Sequence, residues 1–118
     1  MSNAELLRRE KDAHDQFYGL RSADLAFSRE RFERRMAYPW QPNFNLYSFE
    51  TRRFVSIATR TAVAPVLEYG CGRGELACYL GLLGQREVHG FDLSETGTRT
   101  GREIAQSLGL SERVFIRQ

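Results

Sequence analysis

The 118-residue sequence predicts an α/β protein: a helical segment over residues 1–62, then a βαβαβ unit of parallel strands over residues 63–118. Two observations carry this. Up to residue 62 the apolar spacing is helical and the sequence is arginine-rich. Beyond it, short apolar runs ending in glycine or aspartate alternate with helical stretches, a pattern that produces parallel strands joined by right-handed crossovers. The length suits one domain with a modest core.

Residues 4–18 read as a first helix with Leu6, Leu7, Ala13 and Phe17 as a weak apolar stripe, and Gly19 as its stop. Ser22 is the expected cap of a second helix carrying Leu25, Phe32 and Met36, which Pro39 and Pro42 end in an aromatic loop, Tyr38–Pro42. Asn45 is then expected to cap a third helix with Leu46, Phe49, Phe54 and Ile57 on one side. These aromatic helices suit a cover for a sheet.

Ala64–Tyr69 reads as a buried strand ending at glycines. Glu75–Leu83 follows as a helix with Leu76, Ala77, Leu80 and Leu83 along one side, closed by Gly84. Glu87–Asp92 is a second strand, Ser94–Leu108 a second helix stopped by Gly109, and Arg113–Arg117 a third strand.

Composition removes several functional classes. With 42% hydrophobic and 27% charged residues the chain reads as soluble and globular. No apolar run approaches the roughly 20 residues of a membrane span. The start lacks the apolar core of a secretory signal, so a cytoplasmic location is expected. Cys71 and Cys78 lack a Cys/His cluster, which removes zinc and a disulfide scaffold and leaves reduced thiols. The net charge is +2, with 11 basic against 8 acidic residues up to position 62 and 6 against 7 after it. Arg29, Arg31, Arg34 and Arg35 are interleaved with Glu30 and Glu33, the pattern of a solvated, ion-paired helix face rather than a nucleic-acid surface.

The informative stretch is Val66–Leu76, where Gly70, Gly72 and Gly74 stand between a strand and a helix. Gly70 permits the turn, Gly72 admits a ligand close to the backbone, and the first amides of the helix face that ligand. Glu68 ends the strand before the loop. Asp92 ends the next strand, twenty residues beyond Gly72, where a carboxylate accepts from both hydroxyls of a ribose or caps the following helix, as Ser94 also could. A dinucleotide loop wants its third glycine at position 75, which is Glu75, an acid that repels a pyrophosphate. The spacing therefore argues against NAD or FAD, and against a nucleotide-binding oxidoreductase. It suits a ligand whose near end carries an ammonium as well as a carboxylate.

E-x-G-x-G-x-G after an apolar strand, followed by Val88-His89-Gly90-Phe91-Asp92-Leu93-Ser94, resembles the first two motifs of class I S-adenosylmethionine-dependent methyltransferases, over about residues 63–118. The resemblance implies a Rossmann-like sheet with strand order 3-2-1. It implies that Glu68 and the loop of Gly70, Cys71, Gly72 and Gly74 hold the methionine part of the cofactor. Asp92 takes the ribose hydroxyls, and Leu93 with Phe91 flanks the adenine. The family's N-terminal helices often close over the cofactor, which makes Tyr18 a candidate contact beside its reading as a packing aromatic.

The family sheet has seven strands, and this sequence ends with the third. The acid that the family carries just beyond that strand is absent. The resemblance thus covers an N-terminal half: a truncated chain, a proteolysed product or one part of a split protein. The expected function is methyl transfer to a small-molecule acceptor, with no metal, membrane or nucleic acid involved. No catalytic base is identifiable; His14 lacks a visible partner, and His89 reads as a packed strand residue. Arg73 is expected to pair with Glu75 or with the cofactor's carboxylate, and Cys71 is read as a small residue that fits. The alternative is a non-catalytic fragment or assembly module. A central strand left with an open edge predicts self-association, or a separate C-terminal half that stays bound.

Overall fold

Eight elements appear in the computed structural model, which describes residues 1–22, 26–37, 46–60, 65–85 and 87–118. In chain order they are α1 (Asn3–Ser22), α2 (Arg29–Ala37), α3 (Leu46–Arg60), β1 (Val66–Tyr69), α4 (Glu75–Leu82), β2 (Val88–Phe91), α5 (Glu95–Ser107) and β3 (Val114–Arg117). The strands form one parallel sheet in the order β1-β2-β3, half of a Rossmann-like α/β sheet. The register sets Val66 beside Val88 and Val88 beside Val114, so alternate residues face the helices.

That face is the core. Ala77, Cys78 and Leu80 of α4 and Val88 of β2 are fully excluded from solvent, and Val114, Ile116, Ile104 and Ala105 complete the layer. From α3, Ala58 is buried and Phe54 and Val55 pack against the same cluster. Gln85, in the segment after α4, donates to the Ala58 carbonyl of α3 at 2.7 Å. Phe32 of α2 lies against the Tyr79 ring, 4.7 Å between centroids. Helix α1 packs on α5. The opposite face carries Leu67, Tyr69, His89, Phe91 and Phe115, where Tyr69 stacks on Phe91 and His89 on Phe115. Leu67 is 52% exposed and Tyr69 81%, so this face is largely bare among the described residues.

Several local expectations change. Gly19 does not stop α1, which continues to Ser22. One interior glycine costs only about 1 kcal/mol, and packing on α5 offsets it. Ser22 consequently ends α1, and Ser28 heads α2, its hydroxyl accepting from the Arg31 amide at 3.3 Å and its carbonyl from Phe32. Ile57 is 53% exposed because the buried side of α3 runs through Thr51, Phe54, Val55 and Ala58. Leu83 is 38% exposed, since α4 ends at Leu82 and Leu83 has already left the stripe. Leu25, the loop 38–42 and Asn45 lie outside the described residues. On α2, Arg29 pairs with Glu33 and Arg34 with Glu30, as expected of a solvated face.

Candidate functional site

Parallel strands bring the ends of β1 and β2 to one edge of the sheet, and the loop leaving β1 turns over that edge. Its Cys71 amide donates to the Phe91 carbonyl of β2 at 3.0 Å, and the Gly74 amide closes a turn onto the Cys71 carbonyl at 2.8 Å. Gly72 and Gly74 have φ of +56° and +67°, in the left-handed region that residues with a Cβ avoid. A Cβ at Gly74 would also collide with Ile116 of β3.

Asp92 fastens this loop to the next strand. Its Oδ2 accepts from the Gly72 amide at 2.8 Å and its Oδ1 from the Ser94 amide at 2.8 Å. Both oxygens keep lone pairs for further donors. Ser94 is the cap of α5, its hydroxyl accepting from the Gly97 amide at 2.9 Å. Asp92 therefore supports the helix start through Ser94 and holds the glycine loop as well.

Glu68 lies at the end of β1, and its Oε2 is buried with no hydrogen-bond partner among the described residues. Burial is the main cause of a carboxyl group pushed up to about 7; the Asp92 charge adds to the rise, while a hydrogen bond from the Ala77 backbone opposes it. Cys71 points its thiol at Gly90, where an added Cβ would stand 3.0 Å from Sγ. Burial, then the nearby Glu68, pushes that thiol up to about 12, so it stays protonated and packs, donating a long hydrogen bond to the Gly72 carbonyl at 3.8 Å. Arg73, itself buried, pairs with Glu75 at 2.6 Å. This offsets the Glu75 charge, so glycine spacing alone separates this loop from a dinucleotide loop.

Tyr18 reaches the site from α1. Its ring and hydroxyl sit on Gly72, in contact with the place a Cβ would take, and the ring covers Gly97, 3.0 Å from a Cβ position there. His14, one turn earlier and exposed, tilts toward Tyr18 at 6.3 Å between ring centroids. Leu93 is 38% exposed on the turn after Asp92, and Phe91 is half-buried against Tyr69. The structure thus gathers Glu68, the glycine loop, Asp92 and Tyr18 at one place, with Leu93 at its rim. His89 stands apart, paired with Glu87 at 2.9 Å and stacked on Phe115.

Sequence reasoning missed two features. Asp15 of α1 accepts from the Ser94 hydroxyl at 2.6 Å and from the Thr96 amide at 3.0 Å. Lys11 first, then Ser94, holds this carboxyl well below the usual carboxylate range. Gly97 and Gly101 form a bare strip of α5 on which the loop rests: a Cβ would meet the Gly72 carbonyl at 3.1 Å and the Arg73 carbonyl at 2.7 Å. The glycine pair four residues apart was the available signal for the second. Asp15 offered none. Among the described residues no group of His, Cys, Asp and Glu could hold a metal ion, and no helix is long and apolar enough to cross a membrane.

No family model matches this chain, and no curated protein matches it. Among solved structures it is similar to a SAM-dependent methyltransferase from Geobacter sulfurreducens in complex with S-adenosyl-L-homocysteine, with 26% identity over 75% of this chain and 36% of that one, at a TM-score of 0.47. It is also similar to magnesium protoporphyrin IX methyltransferase from Synechocystis PCC 6803 with bound SAH, with 20% identity over 75% of this chain and 44% of that one, at a TM-score of 0.45. The same enzyme with bound SAM gives 22% identity over 86% of this chain and 53% of that one, at a TM-score of 0.42. The chain spans between 36% and 53% of the length of these structures.

Proposed function

We propose that this chain is the cofactor-binding portion of an S-adenosylmethionine-dependent methyltransferase acting in the cytoplasm on a small-molecule acceptor. One observation carries the reading: two carboxylates at the ends of neighbouring parallel strands, Glu68 and Asp92, flank a left-handed glycine loop whose Gly72 amide is held by Asp92. Ligands of open α/β sheets bind at such strand ends.

The residues present fit the cofactor. The unpartnered Glu68 oxygen is a buried acceptor without a donor, and an ammonium supplies one. The lone pairs left on Asp92 match a vicinal diol. The loop brings backbone rather than side chains to the ligand. When bound, the cofactor supplies an electrophilic methyl group, so the protein's part is alignment and exclusion of water. Tyr18 over Gly72 gives the site a cover. No proton-transfer step is assigned to these residues.

Titration calorimetry with S-adenosylhomocysteine tests the proposal. Asp92→Ala is expected to weaken binding by about 1–3 kcal/mol, through loss of a charged acceptor. Asp92→Asn, which keeps one accepting oxygen, should fall between. Unchanged affinity in both would confine Asp92 to bracing the loop. No binding to the parent protein would reject the cofactor.

A further inference from the structure

Asp15 stands in the middle of α1, and its two oxygens face different ways. Oδ2 takes the Lys11 ammonium at 2.7 Å, while Oδ1 takes the Ser94 hydroxyl at 2.6 Å and the Thr96 amide at 3.0 Å. Ser94 is completely buried, and each of its polar groups is engaged. The hydroxyl proton goes to Asp15, the hydroxyl oxygen receives the Gly97 amide, the backbone amide goes to Asp92, and the carbonyl receives the Thr98 amide. Asp92 uses its other oxygen for Gly72. Tyr18, one helical turn beyond Asp15, rests on that same Gly72 and on Gly97. The contacts close a circuit: Asp15 to Ser94, Ser94 to Asp92, Asp92 to Gly72, Gly72 to Tyr18, and back along α1.

We infer that Asp15 is a positioning residue for the ligand site, holding Asp92 and the glycine loop in place through the Ser94 hydroxyl and so tying the seating of α1 to ligand binding. The inference rests on the methyltransferase reading for the identity of the ligand, though not for the relay itself. A hydroxyl whose one proton goes to Asp15 while its oxygen receives the Gly97 amide has no freedom to reorient, so displacing Asp15 displaces Ser94 and, with it, the oxygen that Asp92 offers. Coupling is reciprocal: whatever loosens α1 lowers affinity at Asp92, and a ligand on Asp92 holds α1 down.

The test uses the full-length protein in a Tyr18→Ala background, which removes the ring from Gly72 so that it cannot report α1 directly. In ¹H–¹⁵N spectra without ligand, Asp15→Ala is expected to move the Gly72 amide resonance. Asp15→Asn, which keeps an accepting oxygen, should largely restore it, and Lys11→Met should leave it in place. If Asp15→Ala does not fold, Ser94→Cys, with its longer and weaker donor, should produce the same displacement of Gly72. A Gly72 amide that stays put while Ser94 and Thr96 move overturns the relay. With native Tyr18 restored, Asp15→Ala should weaken S-adenosylhomocysteine binding about tenfold, within the usual range of coupling between sites. Adding Ser94→Ala should cost no more than either change alone. Fully additive losses also overturn the relay. If the parent fails to bind S-adenosylhomocysteine, the methyltransferase reading falls, and the Gly72 resonance still decides the relay.

Discussion

Glu68 holds one buried carboxyl oxygen with no donor among the described residues, and the cost shows in its protonation. Glu68 has its folded value raised from the ordinary 4.5 to about 7. The folded state therefore binds the proton more tightly than the unfolded state. Its contribution is fully present below the unfolded value and is lost as pH rises through the folded one. Stability should fall between about pH 4.5 and 7, by about 3 kcal/mol at most, given about 1.4 kcal/mol per unit. Urea midpoints across that window are expected to decline in the parent and to lose this slope in Glu68→Gln. An unchanged slope in the variant would place its source elsewhere. Asp15 has the opposite sign: its lowered value gives stability that is present above the usual carboxylate range and lost as pH falls. Glu68 and Asp92 were legible in the sequence because a strand, a glycine turn and a helix fix where a neighbouring acid must stand. Asp15 was not, because Ser94 and Thr96, which it meets across the site, lie 79 and 81 residues away, and its local pair with Lys11 does not mark that meeting.

At the scale of elements, what was legible follows the strength of the local signal. The strands and α4 and α5 fall within a residue or two of their expected bounds, since apolar runs and glycine stops act over short distances. The start of α2 and the end of α1 were misplaced because one serine or one glycine is a weak vote against tertiary packing. The α5 glycine strip is the element-scale device that seats the glycine loop. Gly101→Ala sets two effects against each other: a gain of about 1 kcal/mol in helix propensity, and a methyl group driven to within 2.7 Å of the Arg73 carbonyl. The obstacle is backbone rather than a flexible side-chain end, so it should win. A net loss of about 1–3 kcal/mol in denaturant unfolding is expected. A more stable variant would mean that the loop yields easily, and that α5 does not fix its position.

For the whole molecule, the layering was legible but the balance of cover was not. The sequence shows which residues are apolar, while the sheet decides which of them find helices. Here α4 and α5 pack on one face, and Leu67 and Tyr69 point away from it, 52% and 81% exposed. The outer edge of β1 has no neighbouring strand among the described residues, although its sequence reads as a central strand. An apolar strand with unpaired amides and carbonyls along one side, next to a bare aromatic face, is a template for another strand. The 118-residue chain is therefore expected to pair through β1 with a second copy, and to be larger than a monomer in light scattering. Leu67→Lys together with Tyr69→Lys should shift it toward the monomer, because two charges on the exposed face disfavour apolar stacking without touching the buried Val66 side. A folded parent that stays monomeric and unfolds cooperatively on heating would show that the half-sheet suffices alone, and that its open edge is already tolerable to water.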